Sequence, residues 1–184
     1  INGLGGHAAK PQIAVDPTIV GSHIVIALQS IVSRNADPTD QIVVSVTSFE
    51  TSSTAFNVIP QTVVLKGTVR TLSDETRDLA EKRLEEIARK TGDVFGANVD
   101  PVYTRGYPVM TNSFDQTEFA ASVAKSVSGY CEEAPLVMGG EDFSYMAIER
   151  PGAYILIGNG DSAPVHNPNY NFNDEAISIG CSWW

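Results

Sequence analysis

The sequence predicts an α+β protein in two parts, and three observations carry that expectation. Before Pro108 the chain alternates helical spacing with β-branched runs in the order strand, helix, strand, strand, helix, strand. After Pro108 it changes to helices separated by Gly-rich turns and a single apolar run. With 42% hydrophobic and 18% charged residues among 184, there is enough apolar material for a real core.

The elements follow in order. A short strand at the start leads into a Gly-rich loop, and Asp16-Pro17 then supplies a cap followed by proline at the first helical position. Val20, Ile24, Ala27, Leu28 and Ile31 share one helical face. The run is β-branched but too long for a strand. Ile42 to Phe49 reads as a strand, Ser52 to Asn57 as a polar loop, and Thr62 to Arg70 as a second alternating strand. Ser73 with Asp74 and Glu75 opens a helix through about Lys90, whose inward face carries Leu79, Ala80, Leu84, Ile87 and Ala88. A last strand is expected from Asn98 to Tyr107. This β-α-β-β-α-β order is the ferredoxin-like arrangement, assigned to residues 1–108.

Residues 109–184 are expected to hold a helix from Phe114 to Ser128 and a short helix near Glu141. A buried strand over Ala153–Gly158 and a final helix from Asp174 complete this part. It is too short to close a core alone. The chain begins Ile1-Asn2-Gly3 and stops inside a helical pattern at Trp183-Trp184, so both ends read as cuts and a fragment is expected.

Net charge of -10 argues against a nucleic-acid partner, which needs clustered Lys and Arg. No window reaches the roughly 18 consecutive apolar residues of a membrane span. Two cysteines make no disulfide framework, and a reducing, cytoplasmic compartment is expected.

Three histidines stand far apart. His166 sits between Pro164 and Pro168, which restrict the backbone on both sides; spacing alone leaves it either a rigidly held metal ligand or a structural loop residue. His7, in Gly5-Gly6-His7-Ala8-Ala9, is surrounded by small residues that leave an imidazole open to approach, or it is a surface turn residue. His23 flanks the first helix. Glu141 and Asp142 sit at a helix start, where capping explains both. Asn57 precedes a strand, and Arg70 offers a fork suited either to a carboxylate ligand or to a neighbour such as Asp74.

Taken in order, Gly5-Gly6-His7-Ala8-Ala9-Lys10-Pro11, Asn57-Val58-Ile59-Pro60, Gly67-Thr68-Val69-Arg70, Gly140-Glu141-Asp142-Phe143 and His166-Asn167-Pro168 form a pattern. It resembles the di-metal amidohydrolases of the aminoacylase, hippurate hydrolase and auxin-conjugate hydrolase group of metallopeptidases. The resemblance implies a longer two-domain enzyme. Residues 1–108 would be its ferredoxin-like lid, through which it forms a homodimer, and residues 109–184 the C-terminal part of a partial α/β catalytic domain.

It further implies two divalent metal ions (Zn, Mn or Co), with His166 as one ligand and the other ligands outside these residues. His7 would reach into the other subunit's site and stabilise the oxyanion, while Asn57 and Arg70 hold a small N-acyl amino acid substrate. Glu141 and Asp142 receive no metal. Gln12 stands where the group often has a second His, so that position can hydrogen-bond but not titrate. The alternative is a non-catalytic ferredoxin-like dimerisation or binding module.

Overall fold

The computed structural model describes all 184 residues, Ile1–Trp184, in two compact units, Ile1–Gly106 and Tyr107–Trp184.

In the first unit, helix α1 (Pro17–Ser30) starts where Asp16 accepts a hydrogen bond from the Thr18 amide at 2.8 Å. It ends in one π-helical turn, Ile31–Asn35. Val20, Ile24, Leu28 and Ile31 are buried at the predicted spacing. Helix α2 (Asp74–Phe95) is capped by Ser73, which accepts from the Thr76 amide at 3.1 Å, and ends at Gly96 with φ 74°. That left-handed conformation suits glycine and stops the helix. The helix thus outruns the expected end near Lys90 by more than a turn.

Strands β2 (Ile42–Thr51) and β4 (Val63–Thr71) pair antiparallel, with a register shift between Val46 and Ser48. Two-residue strands β1 (Gly6–His7) and β3 (Val58–Ile59) form a second antiparallel ladder. Isolated antiparallel bridges join Asn2 to Thr62 on one side and to Asn98 on the other. The extended segments therefore lie in the order Asn98, Asn2, Thr62, with β2 against β4. Ile42 and Val44 of β2, together with Ala80, Ala88, Ala97 and Val99, close a core under the two helices.

One expectation fails here. The strand predicted from Asn98 to Tyr107 reduces to the single bridge at Asn98; no regular structure follows. Pro101 removes a ladder donor just past the bridge. Side chains hold the segment instead: Arg105 pairs with Asp78 (2.6 Å) and Glu81, and Arg77 donates to the Gly106 carbonyl at 3.0 Å.

The second unit comprises α3 (Phe114–Ser128), α4 (Phe143–Glu149) and α5 (Glu175–Trp183). The predicted strand Ala153–Gly158 is not formed. Asn112 brackets Tyr154, donating to its carbonyl at 3.0 Å and accepting from its amide at 2.7 Å. From Ile155 to Gly158, by contrast, the backbone makes no hydrogen bond. The run is apolar and irregular because a strand needs a neighbouring strand, and this unit has none to offer. Its only buried hydrophobic residues are Ala120 and Ala124, whereas Leu156, Met146, Ile148 and Trp184 are exposed.

Candidate active-site residues

His7 and Asn57, 50 positions apart, are brought together on the β1–β3 ladder. His7 lies opposite Val58, and the Ala8 amide donates to the Asn57 carbonyl at 3.0 Å. The approach to this ladder is pinned by Gln61, which accepts from the Gly5 amide at 3.0 Å and donates to the Gly3 carbonyl at 2.6 Å. Sequence reading missed Gln61, because its role depends on a pairing that no local signal announces.

The His7 ring is exposed, and its Nδ1 accepts a hydrogen bond from the Ala9 amide at 3.0 Å. An accepting Nδ1 carries no proton, so in the neutral ring the proton sits on Nε2. His7 therefore presents an N–H donor outward, the polarity that a developing oxyanion requires. The Ala9 main chain sets this tautomer. Gln12 lies in the single 3-10 turn Pro11–Ile13, exposed and without a side-chain hydrogen bond.

The side chain of Asn57 is exposed and makes no hydrogen bond within the protein. Arg70 pairs across the sheet with Val43. Its guanidinium donates only to the Val69 carbonyl at 3.0 Å and forms no ion pair, with Asp74 or any other acid. Arg70 is seven residues along β4 from Val63, which bonds to Ile1; at about 3.3 Å per residue that is about 23 Å. Within this unit it does not join His7 and Asn57.

In the second unit, His166 is exposed rather than tucked among apolar side chains. It is the sole non-glycine residue with positive φ, at 68°. The Asn167 amide donates to the Pro164 carbonyl at 3.1 Å, closing a turn that places His166 third of four. That position favours glycine, and an L-residue there is strained by about 1–2 kcal/mol. Non-glycine strain of this kind clusters where chemistry needs a particular side chain. The imidazole makes no hydrogen bond to the protein, so its backbone alone sets its direction.

No group of three or more His, Cys, Asp or Glu residues that could hold a metal ion occurs in the chain. The residues present thus do not make a complete metal centre by themselves.

Glu141 and Tyr154 form a separate contact. The nearby Tyr154 hydroxyl, together with the Phe143 amide that donates at 3.2 Å, holds the Glu141 carboxyl below its ordinary range; the carboxylate in turn raises Tyr154. The sign follows. A lowered carboxylate contributes stability above its unfolded pKa and loses it as pH falls through the folded value. The raised phenol contributes below its own unfolded pKa and loses this as pH rises through the folded value. Tyr154→Phe is therefore expected to move the Glu141 titration, followed by carboxyl-carbon NMR, upward toward an ordinary glutamate. An unmoved titration would show that the contact does not exist in solution.

No helix is long and apolar enough to cross a membrane. The chain is 36% identical over 186 residues to hippurate hydrolase of Campylobacter jejuni, an alignment covering 99% of this chain and 48% of that protein. It is 36% identical over 193 residues to IAA-amino acid hydrolase ILR1-like 2 of Arabidopsis thaliana, covering 99% and 43%. Among solved structures it is similar to the Bacillus subtilis YXEP protein, described as a dinuclear metal binding peptidase from the M20 family. That match has a TM-score of 0.68 and 26% identity, covering 92% of this chain and 44% of that one. The chain thus spans about half the length of the relatives it matches. The profile of peptidase family M20/M25/M40 matches residues 4–184, so the five ordered motifs have their explanation: the chain belongs to that family.

Proposed function

We propose that the polypeptide to which these residues belong is a metal-dependent amidohydrolase that cleaves N-acyl amino acids into a carboxylic acid and an amino acid. The observation that carries this reading is the family match across residues 4–184, together with relatives whose names specify hippurate and an indole-acetyl amino acid conjugate. Both are amides between an acyl group and an amino acid.

Residues 1–108 act as a ferredoxin-like lid, supported by the order Asn98, Asn2, Thr62 with β2 beyond β4. The lid forms a homodimer, for which β2, hydrogen-bonded on one side only, offers a free edge. Residues 109–184 belong to the catalytic domain; the unpaired Ile155–Gly158 backbone and the uncovered apolar side chains suit a surface that the rest of that domain covers. The free thiols Cys131 and Cys181 suit a reducing cytoplasm.

In the reaction, His7 donates from Nε2 to the oxygen of the attacked carbonyl as negative charge develops there. Asn57, whose side chain makes no hydrogen bond, and Arg70, which pairs with no acid, hold the substrate's amide and carboxylate. His166 supplies one neutral imidazole to the metal pair, and its co-ligands come from outside these residues. When bound, such ions supply a water of lowered pKa and Lewis acidity toward the carbonyl.

The test is hydrolysis of benzoyl-, acetyl- and indole-acetyl amino acids by the full-length polypeptide, read as release of the free amino acid. Turnover of at least one class is expected. Cleavage of peptides with free N-termini, without any N-acyl amino acid turned over, would overturn the substrate assignment.

A further inference from the structure

The imidazole of His166 has no hydrogen bond of its own, so whatever aims it must act through the backbone of its loop. One side chain spans that loop. The Asn159 carboxamide donates to the Ser162 hydroxyl at 2.9 Å and to the Asn171 carbonyl at 2.8 Å, and accepts from the Asn173 amide at 2.8 Å. Each bond reaches a residue on one side or the other of His166, so both legs of the loop close on Asn159. The far leg is anchored in turn, because Asn173 accepts from the Glu175 amide at 3.0 Å at the start of α5. Between the legs, Asn167 accepts from the Asn169 amide at 2.8 Å and the Tyr170 amide donates to the Asn167 carbonyl at 2.9 Å. The whole segment is therefore a hydrogen-bonded loop with its base tied at Asn159 and a strained histidine at its tip. Gly158 and Gly160 flank the clamp. A backbone that could otherwise swing on two glycines is held by one carboxamide.

We infer that Asn159 is the positioning residue for His166: by closing residues 162, 171 and 173 on one side chain, it holds the turn that keeps His166 at positive φ. The structural half of this inference stands by itself; its metal half rests on the reading of His166 as a ligand. Outer groups that orient a metal-binding histidine typically contribute tenfold to a hundredfold in metal affinity.

In the full-length polypeptide, Asn159→Ala is expected to speed amide exchange at Asn173 by about tenfold or more. It should also weaken the strong intraresidue amide-to-Hα Overhauser effect that a positive φ gives His166. Asn159→Asp keeps the acceptor toward Asn173 and loses both donors, so it should protect that amide while loosening the Ser162 side. In the full-length polypeptide, zinc affinity by chelator competition is expected to fall about tenfold to a hundredfold in Asn159→Ala, with the melting temperature held and Asn159→Asp between it and wild type.

Unchanged exchange at Asn173 and an unchanged His166 signal would overturn the clamp. Loss of zinc affinity in His166→Ala with wild-type affinity in Asn159→Ala would overturn positioning while leaving His166 a ligand. Wild-type affinity in His166→Ala would instead overturn the ligand reading and the metal half with it.

Discussion

His7→Ala in the full-length enzyme is expected to lower kcat by about a hundredfold to a thousandfold with little change in KM, the range for removing one oxyanion donor. The reasoning starts from a single main-chain bond. The Ala9 amide occupies Nδ1 at 3.0 Å, which leaves the proton on Nε2 and points a donor away from the chain. A donor that meets charge only as it develops contributes to the transition state more than to the ground state, so the loss falls on kcat. Because the ring is exposed, the substitution should leave the melting temperature in place. His7→Gln retains an N–H and should recover part of the rate. A rise in KM at constant kcat would instead make His7 a simple binding contact.

Metal removal is expected to have the largest effect of all. Chelation of the full-length enzyme should reduce hydrolysis by about three orders of magnitude or more, since Lewis-acid stabilisation contributes several kcal/mol and each 1.36 kcal/mol is tenfold. Zn²⁺, Mn²⁺ or Co²⁺ should restore it. The 184-residue chain alone should show no stoichiometric binding, because it holds no group of three or more His, Cys, Asp or Glu residues that could bind an ion. Tight uptake of two ions by this chain, or a chelator-resistant full-length enzyme, would defeat the assignment.

What could be read from sequence, and what could not, divides by range. Local signals were sufficient for α1, α2, α3, β2 and β4: the spacing Val20, Ile24, Leu28, Ile31 and the caps Asp16 and Ser73 are written within single turns. The π turn at Ile31–Asn35 and the end of α2 at Gly96 were not, since neighbouring packing and one left-handed residue decide them. The segment after Asn98 misled because its β-branched pattern said strand while Pro101 and the Arg105 ion pairs imposed another path. Ala153–Gly158 misled for the opposite reason: its composition fits a strand, but pairing requires a neighbouring strand, and this unit has none.

At the candidate site, the ordered motifs singled out His7, Asn57, Arg70 and His166. They carried no sign of Gln61 or Asn159, whose hydrogen bonds exist only after distant backbone has closed.

The contrast between the two units sets an order of events during synthesis. Ile1–Gly106 owns a core of Val20, Ile24, Leu28, Ile31 and Val63 and can settle as soon as it leaves the ribosome. Tyr107–Trp184 emerges later with Met146, Ile148 and Leu156 still wet and one stretch of main chain unbonded. Apolar side chains left in water are what chaperones and proteases would compete for.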